Sequence, residues 1–517
     1  MTDVVTGGGD EHGQRIDRLA RDGVSALVGA GVTAVLNFVL VLVVIRTVGR
    51  GPAGVVFAAT SLFLIAETAS RFGAPTGLMY FLVRARTLDR VETLRDVLRA
   101  GLLPVVVGSV FLGGLLYVAA PPVAQWMAGG KFDATEAVRV LALLVPFAAV
   151  SDSLLYSGRA FGTMRPLVLG DRIGRPILQV VLTVAALVAG YRSTPVLCAA
   201  WGVPYVVTAV LGVVWTVRLV RRTEHKAGVL PVTGRPPWAD FWRFTTPRGL
   251  QNLVQIALQR FGIVLVSAIL GPREAAVFAA VTRFLVFGQL GQQAIAAAVQ
   301  PQLGATLAKD DTEGASRLYQ VSTCWLVLLC WPIYLGLAVF AGQIPKIFGR
   351  GYDAGTSVLV VLAFAMLVAT GVGMVDAVLA MAGKTMWTFF NTTLALVLDV
   401  VLTVTLLPRI GLVAAAIAWG AAIVANNILP LVQLWVAYHL HPFGAGTLLS
   451  MGAAALWLGV LPAVVAVVAG WTLPVLLVAF GVGLLGYAGT VWRRRDVFDL
   501  DALLRAIRRR GPSRVSA

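Results

Sequence analysis

Apolar residues run through this chain in long blocks, interrupted at intervals by short polar segments. Fourteen blocks approach the roughly 20 apolar residues that carry a helix across a bilayer. They span about 24–48, 53–79, 98–120, 136–157, 167–190, 196–219, 247–270, 275–302, 318–341, 356–381, 387–408, 411–437, 446–468 and 472–491. Within lipid every backbone amide needs an internal partner, so blocks of this length predict helices. The expected fold is an all-α polytopic membrane protein of about fourteen transmembrane helices. Pro104, Pro146, Pro204 and Pro332 fall inside blocks, where membrane helices tolerate them as kinks. Residues 1–14 are polar and Gly-rich; they read as a disordered lead-in that lacks the apolar core and cleavage site of a signal peptide.

The seventh and eighth blocks break the apolar rule. Between Arg248 and Gln302 they carry Gln251, Asn252, Gln255, Gln259, Arg260, Arg283, Gln289, Gln292, Gln293 and Gln300, on two helices split at Gly271-Pro272. Positions 248, 251, 252, 255 and 259 follow the i, i+3, i+4, i+7 spacing of one helical face, and so do 289, 292, 293 and 300. Amides and guanidinium groups facing lipid tails are costly. These faces are expected to look into protein or a wet, cationic cavity.

Composition supports a membrane protein. Of 517 residues 58% are hydrophobic and 13% charged, with a mean hydropathy of +0.84, where soluble domains carry about 25% charge. A net charge of +17 would suit nucleic acid, but no basic patch interleaved with aromatics lies outside the blocks. The excess fits basic loops on the cytoplasmic side instead. With both termini inside, the outer loops hold only nine basic residues: Arg46, Arg50, Lys131, Arg139, Arg192, Arg273, Lys346, Arg350 and Arg409. Five arginines lie within blocks, leaving 28 of the 42 basic residues for the inner side. That balance predicts a multi-pass protein of the plasma membrane with both termini cytoplasmic.

The longest connection, Arg218–Arg243, falls inside and divides the chain. The expected organisation is a cytoplasmic segment 1–22, an N-lobe 23–220, a basic linker 221–246, a C-lobe 247–438, an extra pair of spans 439–492 and a basic tail 493–517. Val180-Val181-Leu182-Thr183-Val184 recurs as Val400-Val401-Leu402-Thr403-Val404, 220 residues on, and Phe132-Asp133-Ala134 as Tyr352-Asp353-Ala354 at the same offset. Val56-Phe57-Ala58-Ala59 recurs as Val277-Phe278-Ala279-Ala280, and Ala200-Trp201-Gly202 as Ala418-Trp419-Gly420. Six spans is an even number, so the two lobes share one orientation: a parallel repeat, with a binding site expected between lobes near the midplane. In the extra pair Trp457, Trp471 and Trp492 suit the membrane interface, and the Arg-rich tail suits an anionic leaflet.

Charged residues inside the blocks are the functional candidates. Arg71, Arg260 and Arg283 could hold an anionic headgroup, because guanidinium is always charged and its fork matches phosphate. Arg172 and Arg175 could guide it from the inner side, although long side chains near a helix end can also snorkel to headgroups. Asn37, Gln251, Asn252, Gln255, Gln259, Gln289, Gln292 and Gln293 offer amides for hydroxyls. Glu67, Asp152 and Asp376 are candidates to carry a coupling ion. Each also has a plainer reading as a structural partner: Glu67 for Arg71 one turn away, and Glu67, Asp152 or Asp171 for Arg260 and Arg283. Cys198, Cys324 and Cys330 lie in apolar runs, and His12, His225, His439 and His441 on termini and loops. No metal, cofactor or His-based catalytic constellation is expected.

Two motifs carry a resemblance. Ile45-Arg46-Thr47-Val48-Gly49-Arg50-Gly51-Pro52-Ala53-Gly54 resembles the R-x-L-G-x-x-x-x-G loop of polysaccharide flippases, with Val48 in place of Leu and Arg50 widening the spacing. Arg71-Phe72-Gly73-Ala74 resembles the end of their second span. The chain is similar to the polysaccharide branch of the multidrug/oligosaccharidyl-lipid/polysaccharide exporter superfamily, in which two six-span lobes carry two extra spans. The resemblance implies alternating-access transport of a polyprenyl-diphosphate-linked oligosaccharide from the cytoplasmic to the outer leaflet. Its partners would be that lipid-linked sugar, membrane lipids and a polysaccharide-synthesis complex. The alternative is a multidrug antiporter of the same superfamily, which would favour an acidic cavity and twelve spans. A sugar polymerase or glycosyltransferase needs a larger soluble loop or an outer acid cluster, so no enzyme is expected. A passive scaffold docking through its basic inner loops is the remaining reading.

Overall fold

The computed structural model describes residues 8–228 and 238–499, with side chains from residue 28 onward. The first-half helices are α1 (Gly8–Val48), α2 (Arg50–Arg71), α3 (Ala74–Thr87), α4 (Leu94–Val118), α5 (Ala120–Ala128), α6 (Ala134–Ser157), α7 (Arg175–Val188) and α8 (Thr194–Ala227). The second half has α9 (Trp238–Ile269), α10 (Pro272–Thr282), α11 (Leu285–Leu307), α12 (Thr312–Val339), α13 (Gly355–Gly371), α14 (Val375–Met381), α15 (Thr385–Ile410) and α16 (Leu412–Tyr438). The last pair comprises α17 (Ala445–Ala454), α18 (Leu461–Ala469) and α19 (Leu473–Arg493). A π-helical segment, Pro166–Gly174, leads into α7, and another, Ala455–Val460, joins α17 to α18. Helix α1 begins at Gly8, inside the expected disordered lead-in. The central part of the basic linker and the tail beyond residue 499 lie outside the described residues.

Among the described residues, thirteen helical stretches are long and apolar enough to cross a membrane. They coincide with the expected blocks except at 167–190. There the helix running from Pro166 through Val188 carries Asp171, Arg172 and Arg175. At about 1.5 Å per residue it is long enough to cross, but its charges exceed what an apolar span holds. It is tolerated because α1, α6 and α8 pack around it and its charges find partners. The protein is an all-helical, multi-pass membrane protein.

The halves meet through small residues. Helix α2 packs on α9 and α10, and the repeated motif lies on both sides: Val56–Ala59 on α2 and Val277–Ala280 on α10 are all buried. A Cβ on Gly54 would overlap the Pro272 carbonyl, so glycine sets how closely these helices approach. Where α1 turns into α2, Arg46 donates through Nε to the Ile347 carbonyl at 3.0 Å. Arg50 donates to the Gly351 carbonyl at 2.7 Å. Beneath them the rings of Phe38, Phe284 and Phe348 stand 5.1–6.0 Å apart. The halves are therefore joined at this end.

At the linker end α9 crosses the α2–α3 turn. Phe72 and Gly73 there are left-handed (φ 43° and 77°), and a Cβ on Gly249 would overlap the Phe72 carbonyl. The first turns of α9 belong with the first half: Phe241 is fully buried among Leu78, Leu82 and Leu94. Trp242 donates to the Ala100 carbonyl at 3.0 Å. The last pair packs on α12, with Tyr487 donating to the Leu328 carbonyl at 3.1 Å. Trp471 and Trp492 are exposed, as interfacial residues should be. Trp457 instead turns inward and donates to Thr490 Oγ1 at 3.0 Å.

Candidate functional site

A cavity of about 210 Å³ opens on the first half's inner face. Helix α1 contributes Thr33 and Asn37, α2 contributes Thr60, and α8 contributes Trp201 and Tyr205. Four of the five charges come from two places where regular α-helix is interrupted. The π-helical segment and the start of α7 supply Asp171, Arg172 and Arg175. The break between α10 and α11 supplies Arg283, where 3₁₀-type bonds from Arg283 to the Ala280 carbonyl and from Phe284 to the Val281 carbonyl replace α-helical ones. Arg260 of α9 completes the wall. Among the described residues, four arginines therefore face one aspartate.

Those arginines are of two kinds. Arg175 is bound to Asp152 (Nη1 to Oδ1, 2.7 Å) and ion-paired with Asp171. Its guanidinium also lies 4.4 Å from the Tyr205 ring centroid. Arg172 approaches Asp171 at 3.6 Å. Behind the wall, Arg71 pairs with Glu67 at 3.0 Å and with the other oxygen of Asp152 at 3.1 Å. The result is an alternating chain, Glu67–Arg71–Asp152–Arg175–Asp171–Arg172, in which three carboxylates balance three guanidiniums. Arg260 and Arg283 stand outside it. Each has a buried Nε without a hydrogen-bond partner, and neither has an ion-pair partner among the described residues. Glu67, Asp152 and Asp171, the acids the sequence offers as their partners, are engaged with other arginines.

The sequence candidates fall into three groups. Arg172, Arg175, Arg260, Arg283 and Asn37 share the cavity. Arg71 and Asn252 instead line a separate cavity of about 250 Å³ near the α2–α3 turn, with Thr68, Thr76 and Tyr156. Gln251, Gln255, Gln259, Gln289, Gln292 and Gln293 line neither; Gln255, Gln259 and Gln293 are exposed and the others half-buried. Of the ion-coupling candidates, Glu67 and Asp152 sit in the charge chain, whereas Asp376 lies in the second half on α14 with a buried oxygen lacking a partner. Sequence reasoning leaves Asp171 and Tyr205 out of the site. The i, i+4 spacing of Asp171 and Arg175 is a usable signal for the first; nothing local marks Tyr205.

The second half has no equivalent charge cluster among the described residues. Where the repeat places Asp171, Asn391 exchanges two hydrogen bonds with Gln433, at 2.7 and 2.9 Å. Where it places Gln179, Asp399 is buried one turn from Thr403. The first half carries the paired charge chain, whereas the second contributes the two unpaired arginines, Arg260 and Arg283, and pairs amides at the matching place.

Comparison with known proteins adds the fold type. Residues 247–405 match the MatE family. The structure of the lipid II flippase MurJ in an inward closed conformation superposes with a TM-score of 0.70 at 11% identity, covering 91% of this chain and 98% of that one. An inward-facing multidrug resistance MATE family transporter of the MOP superfamily gives 0.63 at 17% identity, over 80% of this chain and 98% of the other. The MATE multidrug transporter DinF-BH gives 0.58 at 18% identity, over 81% and 95%. The fold is MOP-type. No curated protein matches the chain by sequence. At these identities the likeness fixes architecture alone.

Proposed function

We propose that this protein is a transporter of the MOP type that flips a polyprenyl-diphosphate-linked oligosaccharide from the cytoplasmic to the outer leaflet of the plasma membrane by alternating access. The observation that carries this reading is the cavity's charge: two half-buried arginines, each with a buried Nε and no counter-ion among the described residues, beside two more that share one aspartate on the wall. Unpaired buried cations are costly and persist where a ligand anion completes them. A diphosphate meets that need, since its oxygens accept charge-assisted bonds from several arginines at once. The exposed amides on α9 and α11 would meet sugar hydroxyls in the opening between lobes, and the lipid tail stays in the membrane throughout. Residues 23–220 and 247–438 would be the rocking lobes, with both termini cytoplasmic. Glu67, Asp152 and Asp376 remain the coupling candidates, and a polysaccharide-synthesis complex the partner in the cell.

The test is the leaflet distribution of polyprenyl-linked sugars after depletion of the protein. Accumulation on the cytoplasmic side, reversed by the wild-type chain and not by Arg260→Ala expressed at the same level, is the expected result. An unchanged distribution with new sensitivity to cationic drugs would replace this reading with the multidrug antiporter.

A further inference from the structure

Asp171 is the one carboxylate on the cavity wall among the described residues, and it occupies two of the four arginines there. Its backbone is held firmly. The Thr33 hydroxyl of α1 donates to the Arg172 carbonyl at 2.6 Å, and Gly29 leaves room for the Arg172 side chain, whose Cβ would lie 3.1 Å from a Cβ on Gly29. Helix α1 thus clamps the π-helical segment. π-Turns of this kind are costly and recur at functional positions. The carboxylate is half-buried, with a side-chain exposure of 16%, the same as that of Arg175. A phosphate reaching Arg172 and Arg175 from the cavity would find Asp171 already on them.

We propose that Asp171 is a built-in counter-anion that sets the selectivity of the site. The inference rests on the anionic-headgroup reading above and deepens it. With no ligand bound, Asp171 neutralises Arg172 and Arg175, while Arg260 and Arg283 stay open. A monophosphate has charge enough only for the open pair. A diphosphate can fill the open pair and also compete with Asp171 for the second, so the resident carboxylate holds back the larger anion more and keeps its advantage modest. The carboxylate is a repulsive element built into the site, and it tunes both affinity and preference. Once displaced, Asp171 stays beside the ligand as a like charge, which weakens binding enough for release on the far side. Arg175 keeps Asp152 as a second partner, so exchange at Asp171 does not strand it.

The experiment uses the purified full chain in detergent micelles with farnesyl diphosphate and farnesyl monophosphate as probes, read by ligand titration. The wild-type protein is expected to prefer the diphosphate. Asp171→Asn should bind both probes more tightly, the diphosphate by on the order of tenfold, so that the preference widens. A purely structural role predicts the reverse, weaker binding of both. Asp171→Glu keeps the charge and with it the pairing, and should retain the wild-type preference even where the Asn variant fails to fold. Unchanged or weaker binding by a folded Asn variant, or loss of the preference in the Glu variant, would overturn the proposal. A wild-type chain that binds neither prenyl phosphate but takes up a cationic dye would instead sink the anionic-headgroup reading itself.

Discussion

Arg260 and Arg283 differ from the other intramembrane arginines in one respect, and it has opposite consequences for stability and function. Arg71 and Arg175 are each held by two carboxylates. Removing one partner of such a buried pair leaves the other uncompensated, which typically costs about 3–5 kcal/mol. Asp152→Ala frees one bond on each of Arg71 and Arg175 and should lower the thermal midpoint of the purified protein clearly. Arg283→Met removes a half-buried charge, its Nε buried, that nothing among the described residues compensates. That variant should melt at the wild-type temperature or above it while losing transport, the trade-off expected of a strained functional residue. A marked loss of stability in Arg283→Met would mean that the guanidinium has a structural partner after all. Sequence alone leaves both alternatives open for Arg260 and Arg283, because pairing with Glu67, Asp152 or Asp171 depends on distances between helices far apart in the chain.

Interruptions of regular helix do most of the site building. Span five is legible as a block of apolar residues with charges at one end, yet the turn that gathers Asp171, Arg172 and Arg175 on one wall is π-helical. The apolar pattern predicts one helix over 275–302, whereas the structure breaks it at Arg283 and Phe284. Neither departure has a strong local signature: no proline stands at the α10–α11 break, and the hydrogen-bond pattern is settled by neighbouring helices. Close helix contacts are likewise set by glycines whose partners lie elsewhere. Gly249 touches the backbone of Phe72 and Gly73, so Gly249→Val should push α9 off the α2–α3 turn. We expect that substitution to reduce folded yield by size-exclusion chromatography, with Gly249→Ala intermediate; a Val variant that elutes and melts like the wild type would contradict the tight crossing.

Across the whole molecule, the cavity's sign separates the flippase reading from the antiporter. All three native cysteines are buried, so a thiol placed at Asn37 gives a clean reporter of the wall. Four arginines against one aspartate should concentrate anions there. An anionic methanethiosulfonate is expected to label Asn37→Cys faster than a cationic reagent of similar size, by on the order of tenfold at low salt, and the advantage should shrink as ionic strength rises. Faster labelling by the cation would point to an acidic cavity and to drug export. At this scale the halves are unequal: the alternating charge chain lies in the first, whereas the second pairs amides at the matching position in the sequence repeat.

The periodicity and length of the apolar blocks determined the class and the approximate place of thirteen of the fourteen expected spans, because the bilayer allows only internally satisfied backbone of a fixed length. The repeat was legible for the same reason, as was the presence of arginines that lipid would not tolerate. Which of those arginines share a cavity was decided by tertiary structure. Arg71 and the glutamine-rich faces of α9 and α11, prominent in the sequence, lie off the main wall. Asp171, in sequence one more charge near a helix end, stands on it. Charge balance inside a membrane protein is a sum over helices brought together from distant parts of the chain, and helical periodicity reports only the face of one helix at a time.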